Sequence, residues 1–180
     1  MEIANCSREV GFRVGLGIVL LAVVVTPAVR AETIDRVLAV VAGQLITQTD
    51  VTAAADLGLQ TADGAADPVR AVLNKLIDRE LVLAEVDRYA PPEPTTEAVS
   101  AEILRVRQRF ASAADFDAAL ARSGIDEQHL RETLRQDLRI RAYLDQRFSA
   151  TPDRRLNAVD EWMASLRRRG GVVDLYLAGR

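Results

Sequence analysis

Strand-forming sequence lies near the two ends of this chain and almost nowhere between, which narrows the folds open to it. The first run is Ile34 to Val51, IDRVLAVVAGQLITQTDV. Val37, Val40, Val41, Leu45 and Ile46 are residue types that suit a pleated, half-buried ribbon. Ala42-Gly43 interrupts them where a two-residue hairpin turn would fall, and Gly43 can take the positive φ such a turn demands. Thr49 is placed to cap a helix opening at Asp50. A two-stranded ribbon is marginal in water and needs a third strand or a helical cover. The other strand candidate is Val172 to Leu177, VVDLYL. The expected fold is therefore mainly α, a multi-helix domain whose small antiparallel sheet joins an N-terminal hairpin to a C-terminal strand.

Between those ends the apolar spacing is helical. A first helix to Leu59 gives way to a polar, glycine-bearing loop from Gln60 to Asp67. Asp67-Pro68 then supplies a capping side chain followed by proline at the first helical position. From Val69 to Tyr89 apolar residues cover most faces, so this helix is expected to be central and buried. Pro91-Pro92-Glu93-Pro94 ends it. Thr95 or Thr96 caps a third helix to about Phe110, with Val99, Ile103, Val106 and Phe110 on one stripe. Ser112 with Asp115 opens a short helix that Gly124 stops. Asp126 caps a longer one to Phe148, and a last helix runs from about Asp153 to Arg169.

The first 31 residues read as a leader rather than as fold. Arg8 and Arg13 precede an apolar run from Val14 to Val25, and Val29-Arg30-Ala31 puts small residues at −3 and −1 of a cut before Glu32. As a helix that run spans only about 18 Å, short of the roughly 30 Å of a hydrocarbon core, so cleavage is expected rather than stable membrane insertion. The organisation expected is a leader at 1–31 and one domain at 32–180, with 153–180 returning to complete 32–148. The only cysteine, Cys6, leaves with the leader, and an exported domain without disulfides depends on its apolar core. Net charge is −3 and moves to −4 without the leader. No basic tract exceeds Arg167-Arg168-Arg169, which argues against a nucleic-acid surface.

This order of elements resembles the N-terminal domain of the SurA-type periplasmic chaperones. The residues that carry the resemblance are IDRVLAVVAGQLITQTDV, PVRAVLNKLIDRELVLAEV and SGIDEQHLRETLRQDLRIRAYL, covering roughly Thr33 to Phe148. The closing EWMASLRRRGGVVDLYL is similar to the family's C-terminal helix and strand, which return to complete that domain. Members of the family usually carry one or two parvulin-type prolyl isomerase domains between these parts. Here only Ser149 to Pro152 separate Phe148 from the last helix. The resemblance thus implies a chaperone core without the isomerase, located in the periplasm, assisting the folding and assembly of outer-membrane proteins.

The residues themselves offer little to catalysis. His129 is the only histidine, with no cysteine or second histidine to share a ligand set, and it reads as a surface or capping residue. Parvulin sites are built around two histidines. Asp78, Glu80, Glu85 and Asp87 alternate with Arg79 and Arg88, the pattern of solvated ion pairs on a helix. No glycine-rich phosphate loop, nucleophile elbow or HExxH is present. Arg167 to Arg169 suit the negative end of a helix. A non-enzymatic, cofactor-free and metal-free protein is expected. Val51, Leu57 and Leu59 lie on a short alanine-rich segment beside a polar loop, where apolar side chains are expected to stay partly exposed. With Trp162 and Met163, whose spacing fits core equally well, they are the candidate peptide-binding residues. The leading expectation is an ATP-independent holder of unfolded or nascent envelope proteins. The alternatives are a non-catalytic adaptor in envelope assembly and, disfavoured, a prolyl isomerase.

Overall fold

The computed structural model describes residues 35–149 and 152–177; the expected leader lies outside them. Strands β1 (Val37–Val41) and β2 (Gln44–Thr47) form the hairpin. Its turn places Ala42 at φ 50° and Gly43 at φ 89°, the pair of positive values whose twist matches the flanking strands. Register slips by one between Val37 and Ala39, so Leu38 and Ala39 both face inward and are fully buried.

The third strand, β3 (Val172–Asp174), pairs antiparallel with β1 on the side away from β2, giving the order β2-β1-β3. The terminal sheet is thus as expected, although its last strand is shorter. After Leu175 donates its N–H to the Leu38 carbonyl, the chain turns away toward the start of α2. There Arg70 pairs with Asp174 and donates to the Tyr176 carbonyl at 2.9 Å, and the Tyr176 hydroxyl donates to Asp67 at 3.1 Å. Side-chain partners on α2 win over continued pairing.

Six helices fill the interval: α1 (Gln48–Asp56), α2 (Pro68–Tyr89), α3 (Thr96–Arg107), α4 (Ala113–Ser123), α5 (Glu127–Arg147) and α6 (Pro152–Arg169). Four caps fall where the sequence places them. Asp67, Thr95, Ser112 and Asp126 each accept from the backbone N–H three residues on. Gly124 stops α4 at φ 71°. The cap of α1 differs from expectation: it is Thr47, not Thr49. Thr47 Oγ1 accepts from the Asp50 amide while the Thr47 amide donates to Asp50 Oδ2 at 2.8 Å. This reciprocal pair satisfies two free donors at once, so the last residue of β2 itself opens the helix. Thr49 donates its amide to Asp35 instead.

Two adjoining cores result. One packs Leu38, Val41 and Ile46 of the sheet on Leu73, Ile77 and Val86 of α2, with Tyr143 and Leu166 from α5 and α6. The other gathers Leu57, the C-cap of α1, with Ile103, Val106, Phe116, Leu130 and Leu134 from α3, α4 and α5. Leu59, just beyond α1, packs against both. At about 2 kcal/mol for each buried leucine or phenylalanine, these residues carry most of the favourable energy of folding.

Candidate functional site

A groove of about 270 Å³ runs between the hairpin and the long helices. Gln44, Leu45 and Ile46 of β2 form one wall, and Asp50, Ala53 and Ala54 of α1 line it further in. Leu59, Leu76 and Ile125 extend the apolar surface, while His129, Thr133, Gln136 and Asp137 of α5 form the opposite rim with Arg79 and Glu80 of α2. Leu45 is 59% exposed, a large apolar side chain held out by a strand that has no strand partner on its outer edge among the described residues. Its cross-strand neighbour is Val40, whose neighbour on β3 is Val173, itself 54% exposed. Leu175 and Leu177 are exposed nearby in sequence. The sheet therefore offers an apolar outer stripe that meets the groove at Leu45.

The polar rim is organised by one guanidinium. Arg79 donates through Nε to Asp137 Oδ1 at 2.7 Å, through one terminal nitrogen to Glu80 Oε1 at 2.6 Å, and through the other to Gln136 Oε1 and the Thr133 carbonyl. Its side chain is only 12% exposed and that of Glu80 17%, so these are not the solvated pairs the sequence pattern implies. Burial raises the Glu80 carboxyl above its ordinary pKa; Arg79 opposes the shift, and the charges of Asp50 and Asp137 add to it. Glu85 is likewise 8% exposed, held against Arg88 at 2.8 Å and facing Arg169. Arg167 pairs with Asp78, so two of the three terminal arginines are tied to α2 rather than only ending α6.

The five candidate peptide-binding residues do not form one surface. Val51 is 3% exposed and Leu57 1%, a correction to the expectation that α1 leaves them open. The physical reason is that α1 is wedged between the two cores: Val51 and Ala54 pack into the first, and Leu57, the cap at its C-terminal end, packs into the second. Leu59 is half-buried and lines the groove. Trp162 and Met163 are half-buried against the first core, away from the groove lining. Trp162 stacks near Tyr143 and Phe148, with the Arg147 guanidinium 5.4 Å from its ring. His129 is exposed on the groove rim, its backbone N–H taken by the Asp126 cap.

Among the described residues no group of three or more histidine, cysteine, aspartate or glutamate side chains is placed to hold a metal ion. None of the described helices is long and apolar enough to cross a membrane. No family model matches the chain, and no curated protein is significantly similar to it in sequence.

Proposed function

We propose that this protein is an ATP-independent, chaperone-like holder of unfolded or nascent polypeptide, without isomerase activity. The observation that carries the reading is the outer edge of β2, unpaired among the described residues, with Leu45 standing exposed where the strand meets a groove lined by both apolar and polar side chains. An extended segment can add to such an edge through backbone hydrogen bonds while its alternate side chains enter the groove. Apolar contact of this kind discriminates little between sequences, as a binder of many clients requires. The resemblance to SurA-type chaperones points to exported outer-membrane or secreted proteins as clients, met in the periplasm. Binding should be weak and quickly reversed, because a tight holder stabilises the unfolded client against folding.

Aggregation of a chemically denatured porin, followed by light scattering with and without the purified protein, tests the reading. Suppression that grows with molar excess is expected, together with no acceleration of a proline-peptide isomerisation assay. No suppression at several-fold excess removes the holder reading. Recovery of one folded, stoichiometric partner in place of many unfolded ones replaces it with an adaptor.

A further inference from the structure

The groove that would receive a client is also short of positive charge. Its lining holds three carboxylates, Asp50, Glu80 and Asp137, against one guanidinium, Arg79. All three nitrogens of Arg79 already donate to neighbours, and Glu80 Oε2 and Asp137 Oδ2 receive no hydrogen bond among the described residues. Both carboxylates are mostly shielded from water, with 17% and 29% of their side chains exposed. A half-buried site with two unbalanced negative charges and spare acceptor oxygens is complementary to a cation. Leu59, Leu76 and Ala54 lie beside it and suit the aliphatic stem of a long basic side chain.

We propose that the groove selects extended segments that place a lysine or arginine beside apolar residues, and disfavours acidic ones. This rests on the holder reading and names its preferred client chemistry. The Glu80 carboxyl, raised chiefly by burial and further by Asp50 and Asp137, is consistent with it, since a bound cation would favour its charged form. The charged and titratable groups facing the bound side chain would be Asp50 from α1, Arg79 and Glu80 from α2, and His129 and Asp137 from α5. Protonation of Glu80 in acid would therefore weaken the preference.

The test uses the full chain and short labelled peptides of alternating apolar and small polar residues, differing only in a central lysine, norleucine or glutamate. Fluorescence anisotropy gives the affinities. At low salt the lysine peptide is expected to bind about three- to tenfold more tightly than its uncharged counterpart, the range for a partly desolvated ion pair. High salt should narrow that ratio, and the double variant Glu80→Gln with Asp137→Asn should abolish it. Equal affinity for all three peptides overturns the charge preference and leaves the holder reading standing. Failure of all three peptides to bind removes both. The salt comparison on the unaltered protein decides the matter even if the double variant folds poorly.

Discussion

Replacing Gly170 with alanine probes how the C-terminal helix and strand are seated on α2. This glycine follows the last turn of α6, its amide 2.6 Å from the Leu166 carbonyl. A methyl group built there lies 2.8 Å from the Leu166 carbonyl oxygen and far inside contact distance of Leu81 Cδ2. Leu81 is 3% exposed and belongs to the core under the sheet. Relief requires a new Leu81 rotamer together with displacement of the end of α6. Overpacking of a core costs about 1–3 kcal/mol, and the added pressure on a backbone oxygen places this case at about 2–3 kcal/mol. In urea, with a slope of about 2 kcal/mol per molar, the unfolding midpoint should fall by about 1 M. Leu81→Ala alone should cost about 2–5 kcal/mol through the cavity it leaves. Because the Gly170 methyl would occupy part of that cavity, the double variant should lose about 1–2 kcal/mol less than the sum. A Gly170→Ala protein with an unchanged midpoint, or strictly additive losses, would refute the contact between this turn and α2.

Three smaller changes bear on the hairpin and the groove. Ala42→Asn should raise stability by about 0.5–1 kcal/mol, measured by urea unfolding, since asparagine tolerates the positive φ of 50° that alanine is forced to adopt. Leu45→Thr keeps a strand-forming residue at an exposed position, so stability should move by less than about 0.5 kcal/mol, while peptide affinity should drop about tenfold through loss of a buried leucine contact. The Glu80 carboxyl has a folded pKa above the ordinary 4.5, so its contribution to stability is full below that value and is lost as pH rises through the folded pKa. Glu80→Gln should therefore gain stability relative to the native protein as pH climbs from about 4.5 toward neutrality. Urea midpoints of the two proteins that run parallel across that window would contradict the burial assigned to Glu80.

Features set by neighbours in sequence were legible in it. Ala42-Gly43, Asp67-Pro68, Ser112 with Asp115, Gly124 and Asp126 all act through backbone groups within a few residues, and each does in the structure what its chemistry implies. Pairing of the two terminal strands was legible too, because neither end had another way to complete a sheet. The cap of α1 was misplaced by two residues because Thr47 and Thr49 offer the same hydroxyl; only the reciprocal bond from Asp50 separates them. The groove was not legible. Arg79 reaches α5 partners more than fifty positions away and holds Glu80 beside it, and on the helix alone their alternating signs look like a solvated face. Val51 and Leu57 were misjudged for a related reason: a short alanine-rich helix looks superficial until both cores are seen to close on it.

The pairing of β3 with β1 also fixes when the domain can finish folding. The central strand is made early and waits for residues 172–174, so it keeps a raw flank until more than 130 further residues have been synthesised. Closing a loop of that length is slow compared with forming any one helix. During that interval the nascent protein would itself present an unsatisfied strand, the same kind of surface it is proposed to shelter in others.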